Sequence, residues 1–189
     1  MELVELTGAR LHVHVALPGL PGEAERATRA LVALDPAVVV ADVDTREALT
    51  LRGQHEPGFV DALVAGELNR RFAKGDSPGD DPVVATARFA SARKTELVAL
   101  RPTTRAPGLF ARRRAARALA ALTHDEPAAF SRAAAAALQR ERAWDASADA
   151  LAGAPRLECA LAGGRAPVAL VTTGHRAGAL FSLLGRIPA

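Results

Sequence analysis

The sequence predicts an α/β domain, a mostly parallel open sheet with helices on both faces and an antiparallel hairpin at one edge. Three observations carry this expectation. Strand-like and helix-like patterns alternate along most of the chain. Two apolar runs, Val38-Val39-Val40 and Val168-Ala169-Leu170-Val171, lack the alternation of a half-exposed strand and read as strands buried on both sides. Aromatic residues make up only 4% of a chain that is 49% apolar, so its core is built from Ala, Val and Leu, which lets helices lie close on a sheet. With 189 residues and no evident linker, residues 1–189 are expected to form one domain.

The elements follow in order. Leu11, Val13 and Val15 alternate with His12, His14 and Ala16, which predicts a first strand over 10–17. Pro18-Gly19-Leu20-Pro21-Gly22 is a turn, and Ala24, Ala27, Leu31 and Leu34 recur at helical spacing up to Pro36. The valine run after it completes a βαβ unit. A helix is expected over 59–72, then a polar surface loop over 74–81. Asp81 and Pro82 form a helix start of N-cap and first-turn proline. The helix continues through 83–94 and is followed by a strand over 96–100. A helix carrying Arg112, Arg113 and Arg114 buries Ala111, Ala115, Leu119 and Leu122, and Thr123 with Glu126 suggests a capping box for the next helix. That next helix is read as the longest element, with a stripe of Phe130, Ala134, Ala137, Glu141, Trp144, Ala148 and Leu151. Leu157, Cys159 and Leu161 then alternate before Gly163-Gly164, which predicts a hairpin into the last strand, and a short helix beginning near Gly178 ends the chain.

Charge and cysteine content bound the partners. The 24 Lys and Arg against 21 Asp and Glu leave a net charge of +3, too weak to steer the chain toward polyanions. The arginine cluster has no interleaved aromatics, so no nucleic-acid partner is expected and the cluster reads as a solvated helix face. No stretch of about 18 apolar residues occurs, so no membrane partner is expected either. Cys159 is the only cysteine and the first residues lack a signal-like pattern, which together predict a cytoplasmic protein. A small-molecule or peptide ligand and a homo-oligomer both remain open.

In an open parallel sheet, ligands bind outside the carboxyl ends of the strands. That rule selects Asp42, Asp44 and Arg46 after the second strand, Arg101 after the third, and His175 after the last. An imidazole near a helix N-terminus stays neutral and serves as a base or a metal ligand. Glu141 lies on an apolar stripe, where a carboxylate needs a partner, and Arg142 beside it is three residues from Asp145 and within pairing reach. His12 and His14 share one strand face, a spacing open to metal binding but more simply read as packed polar residues.

The order of elements resembles the TraB family, the group that includes pheromone-shutdown and Tiki-like proteins. The likeness runs through Asp35-Pro36 with the following valine run and Arg46, through Leu97-Val98-Ala99-Leu100-Arg101-Pro102, and through the helix with Arg142. It ends at Thr172-Thr173-Gly174-His175-Arg176-Ala177-Gly178, similar to the family's Gly-x-Gly-His-x-x-Gly. Val15-Ala16-Leu17-Pro18 stands where the family carries Gly-x-x-His, Asp42 stands for its usual Glu, and Leu100 for its Asp. The strand-end rule, with Arg142 on the helix expected to cover the sheet, predicts one crevice in which Asp42, Arg46, Arg101, Arg142 and His175 converge as the candidate catalytic set. The resemblance to metal-dependent, protease-like members adds a divalent metal there, with His175 and Asp42 or Glu141 as its candidate ligands. Two functions stay open on this basis: a metal-dependent, protease-like hydrolase, and a non-catalytic binding or regulatory domain that keeps the fold.

Overall fold

The computed structural model describes residues 2–6, 9–44, 57–73, 81–102 and 107–185. Among these residues the strands are β1 (Glu2–Leu6), β2 (Ala9–Ala16), β3 (Val38–Asp44), β4 (Glu96–Arg101) and β5 (Val168–Thr173). The helices are α1 (Glu23–Leu34), α2 (Phe59–Phe72), α3 (Pro82–Arg93), α4 (Leu109–Ala120), α5 (Pro127–Arg140), α6 (Ala146–Ala162) and α7 (Gly174–Leu184). The strands lie in the order β1-β2-β5-β3-β4. The last four are mutually parallel, and β1 closes one edge antiparallel to β2.

The two apolar runs occupy the interior positions. β5 sits between β2 and β3, with Val38 opposite Val168 and Ala41 opposite Val171. On one face Leu11, Val13, Val38, Val40, Leu100, Val168 and Leu170 pack against Ala154 and Leu157 of α6 and against Leu180, Leu183 and Leu184 of α7. On the other, Val39, Ala169 and Val171 meet Leu31 of α1 with Phe89 and Ala90 of α3. Chain steps from β2 to β3 and from β3 to β4 place α1 and α3 on one face, and the return from β4 to β5 places α6 on the other. Opposite directions on opposite faces keep a single crossover hand. A further apolar cluster joins α2, α4 and α5 through Val64, Leu68, Ala115, Leu119, Phe130 and Leu138. None of the helices among the described residues is long and apolar enough to cross a membrane.

Side-chain caps set the starts of two helices. The Asp81 carboxylate accepts from the Val83 amide at 2.7 Å, and Pro82 opens α3. Asp145 caps α6 by accepting from Ser147 at 3.0 Å and Ala148 at 3.1 Å. At the exposed edge of the sheet Arg156 donates to the Arg101 carbonyl at 2.6 Å, occupying an acceptor that an edge strand would otherwise offer to another chain.

Four sequence expectations are corrected. The long helix through Phe130 and Leu151 is two helices, broken at Glu141–Asp145: Arg142 takes a left-handed φ of 52° and Asp145 starts a new cap. Leu157, Cys159 and Leu161 lie on α6 rather than a strand, because Ala154, Leu157 and Leu161 also satisfy helical spacing and pack on the sheet. The antiparallel edge is therefore the β1–β2 hairpin at the other end of the chain. No side-chain cap forms from Glu126 or Thr123 at the start of α5, where Pro127 opens the helix. Finally, α7 begins at Gly174, so His175 lies in its first turn rather than in a loop ahead of it.

The turn after β2 depends on Gly19. Its φ is 86°, its carbonyl accepts from Asn69 of α2 at 3.0 Å, and an added Cβ would stand 2.2 Å from the Ala65 carbonyl oxygen. Gly22 has a similar φ of 79° but open space around it. Gly19→Ala should therefore cost about 3 kcal/mol or more and Gly22→Ala only about 1 kcal/mol, measured by chemical denaturation. Equal costs would show that backbone strain alone, without the contact to α2, governs this turn.

Candidate functional site

At the carboxyl edge of the sheet, the polar strand ends and three helices bring a set of charged side chains together. β3 delivers Asp42 through a bulge: between Ala41 and Asp44 it advances three residues while β4 advances two, from Ala99 to Arg101. Such an extra residue re-aims a side chain, here at the strand's last turn toward the edge. β4 contributes Arg101, whose Nε donates to Asp42 Oδ1 at 2.9 Å and whose Nη2 donates to the Asp42 carbonyl at 2.8 Å. Thr172 of β5 donates its hydroxyl to Asp42 Oδ2. Both members of the Asp42–Arg101 pair are about 5% exposed, so neither relies on water for its partners.

The helices supply the rest. Asp61 lies in the first turn of α2, where helix N–H groups favour an anion. It receives Arg176 of α7 bidentately, Nε to Oδ1 and Nη2 to Oδ2, each at 2.9 Å. His175 Nε2 stands 3.0 Å from Asp61 Oδ1. Arg176 also donates to Asp149 Oδ2 of α6 at 2.8 Å, and Trp144 Nε1 donates to the same oxygen at 2.8 Å. Arg101 lies 3.7 Å from Asp61 Oδ2 and 3.6 Å from Asp149 Oδ2, which links the strand pair to the helix set. The Trp144 ring packs under the Arg176 guanidinium at 4.8 Å and edge-on to His175 at 5.6 Å. Gly174 opens α7 because a side chain there would meet Ser131 Oγ at 2.7 Å and Leu17 Cδ2 at 2.8 Å, and that close approach seats His175 in the interior.

The charge states follow from these contacts. Burial works to raise the Asp61 carboxyl, but Arg176, the His175 hydrogen bond and Arg101 together hold it well below the ordinary carboxylate range. Burial pushes the His175 imidazole down against the upward pull of Asp61, so it is neutral near pH 7. Burial opposes the Arg176 charge, yet Asp61, Asp42 and Asp149 raise its pKa further above the ordinary value. With Asp61 ionised, His175 donates from Nε2, and its Nδ1 is left buried with no partner among the described residues. Three carboxylates thus meet two guanidiniums and a neutral imidazole.

Of the residues selected from sequence, the structure brings Asp42, Arg101 and His175 into one contact chain through Asp61. Arg46 lies outside the described residues. Arg142 does not join them. The break after α5 leaves it exposed in a turn, and its side chain makes no bond to the cluster among the described residues. Glu141 belongs to the same turn, 3.8 Å from Arg114, and so cannot complete a ligand set with Asp42 and His175. His12 and His14 alternate with Leu11 and Val13, which face α6 and α7, so the two imidazoles point to the opposite face of the sheet. Asp61, Asp149, Arg176, Thr172 and Trp144 were missed. Rules that start from strand ends do not reach helix positions. The available signals were the arginine directly after His175 and a carboxylate in the first turn of a helix.

Beside the cluster lies a narrow crevice of about 20 Å³, room for a single water-sized group, lined by Pro18, Asp42, Val43, Asp61, Asp81, Arg101 and Thr173 among others. The divalent metal that the family resemblance implies does not fit this donor set. Both Asp42 oxygens and both Asp61 oxygens already accept from arginine, threonine or histidine, and two guanidiniums would repel a dication. Among the described residues no three His, Cys, Asp or Glu side chains converge as a metal site. No protein-family model, curated protein or solved structure matches this chain.

Asp61→Asn removes the charge that both Arg176 and His175 depend on, and should cost about 3–5 kcal/mol in denaturation experiments because it leaves a buried cation underpaired. A loss under about 1 kcal/mol would mean that Asp149 and Asp42 suffice. Titration should show the cluster as well. A histidine with a lowered folded pKa contributes stability that is complete above its unfolded value near 6.5 and declines as pH falls toward the folded value. Asp61 contributes stability present above about pH 3.9 and lost below it. The unfolding free energy should therefore begin to fall below about pH 6.5, by at most about 1.4 kcal/mol per pH unit for each proton taken up, with the melting temperature falling alongside it. His14, also lowered by burial, adds to the slope, so His14→Gln and His175→Gln should each remove a share of it. A flat profile between pH 7.5 and 5 would contradict the neutral buried imidazoles.

Proposed function

We propose that this chain is a non-catalytic binding or regulatory domain of TraB-like organisation that receives one polar group of a small molecule or peptide at the mouth of the narrow crevice at the carboxyl edge of its sheet. The observation that carries this reading is the saturation of the carboxylates. Asp42 and Asp61 spend their oxygens on Arg101, Thr172, His175 and Arg176, and arginines do not release protons at accessible pH. A carboxylate held well below its ordinary range is a poor proton acceptor at neutral pH, so the cluster is better suited to fixing geometry than to moving protons. The resemblance supports the location, since its marked positions Asp42, Arg101 and His175 meet at one edge. Asp42, Asp61 and Asp81 line the crevice, and a carboxylate bonded to its neighbours still keeps lone pairs beyond those bonds, so the group received there is one that donates hydrogen bonds. A cytoplasmic setting fits the exposed Cys159, which reducing conditions keep as a thiol.

The hydrolase reading retains one favourable observation. His175 is fixed by a carboxylate through Nε2, which leaves Nδ1 as an uncommitted acceptor, the arrangement of a general base held in one tautomer. Its near-complete burial, 1% exposed, sets that nitrogen away from a substrate in the crevice.

Two measurements separate the readings. Titrating the ¹⁵N-labelled chain with a panel of amine-bearing small molecules and basic tripeptides should shift the amide signals of Val43, Val83 and Thr173 together, without turnover. Near-stoichiometric transition metal in protein purified without a histidine tag, or peptide hydrolysis abolished by His175→Gln, would instead establish the enzyme.

A further inference from the structure

α4 carries a second surface that the crevice does not explain. Its inner face buries Ala115 and Leu119 against α2 and α5. On the outer face Phe110 is 76% exposed, the most exposed large apolar side chain among the described residues, and Leu109 beside it is 62% exposed. Arg113, Arg114 and Arg117 follow Phe110 at three, four and seven positions, so all share that outward face. Arg112 is turned aside, donating to the Pro107 carbonyl at 2.9 Å and lying over the Phe59 ring at 4.9 Å. Arg114 approaches Glu141 only at 3.8 Å, and Arg113 and Arg117 meet no carboxylate among the described residues.

We propose that this face of α4 docks on an anionic phospholipid surface, with Leu109 and Phe110 entering the boundary between headgroups and acyl chains and the arginines on lipid phosphates. Charge is the first argument. The helix holds four arginines and no acidic residue, against a net charge of +3 for the whole chain, so the remainder is close to neutral and the positive field is concentrated here. Arg113 and Arg114 lie in the first half of the helix, where the dipole favours anions rather than cations, so their charge is placed against the helix's own preference. The second argument is the pairing of this charge with adjacent exposed apolar side chains, the composition of an interfacial helix. A nucleic acid is the poorer match, because Phe110 is a single exposed ring and not a platform on which successive bases stack. The earlier expectation of no membrane partner rested on spanning segments and average charge, neither of which reports a patch.

The test is cosedimentation of the full chain with vesicles of phosphatidylcholine containing phosphatidylglycerol, and with phosphatidylcholine alone. Retention is expected on the anionic vesicles only, weakening as salt is raised. The Arg113→Gln/Arg117→Gln variant should partition roughly 30-fold less, and Phe110→Ser several-fold less, while both keep the wild-type melting temperature because the altered side chains are exposed. Absent binding, equal binding to both vesicle types, or variants retained like the wild type would overturn the proposal. So would a single-stranded oligonucleotide that strips the protein from vesicles at equal phosphate concentration, since the face would then belong to nucleic acid.

Discussion

The Asp61 carboxylate, held bidentately by Arg176 and touched by His175, is the interaction on which the carboxyl edge of this domain depends. It ties α2, a member of the outer helical cluster, to α7, which packs on the sheet. Removing a carboxylate and a guanidinium from water is expensive, and their mutual attraction offsets that cost only when the remaining hydrogen-bonding capacity is also met. Here it is met by extension. Arg176 reaches Asp149 of α6, Trp144 covers both, and Arg101 bridges back to Asp42 on β3. Each charge is tolerable in the interior because of the next, so the cluster stands as a unit and fixes α2, α6, α7, β3 and β4 at once.

This arrangement changes what the sheet edge offers. Strand ends in a parallel sheet leave polar backbone and short loops around a crevice, the usual place for ligand chemistry. In this chain the bulge in β3 turns Asp42 into that space, but Arg101 then grips both its side chain and its backbone carbonyl. The carboxylates that could have held a metal instead hold arginines. The narrow crevice beside the cluster is thereby walled by Asp42, Asp61 and Arg101, side chains already paired with one another and with their neighbours.

Arginine plays two opposed roles in the same molecule. Arg101 and Arg176, about 5% exposed, turn their guanidiniums onto neighbouring carboxylates and act as struts. Arg113 and Arg117 project from α4 into solvent beside Phe110, where a planar, weakly hydrated cation suits phosphate groups. Composition counts these residues alike. Only position relative to the sheet and to the apolar clusters distinguishes a strut from a contact surface.

Much of the fold was legible in the residue pattern, because burial on two sides, helix capping and turn chemistry are local demands. The valine runs marked β3 and β5, Asp81-Pro82 marked the start of α3, and the bounds of α2 were readable from its apolar spacing. The strand-end rule also reached Asp42, Arg101 and His175. What it could not reach were Asp61, Asp149 and Arg176 as partners, since Asp61 and Arg176 are 115 residues apart and meet only after α2 and α7 have docked. Nor did the chain announce the break at Arg142, where no glycine or proline marks the left-handed residue, or the helical state of Leu157 to Leu161, whose apolar pattern satisfies both periods. Local sequence specifies which segments can form and which faces must be covered. The choice among equally apolar faces, and the partner that each buried charge finds, belongs to packing between elements distant in the chain, where a charge is tolerated only beside its complement.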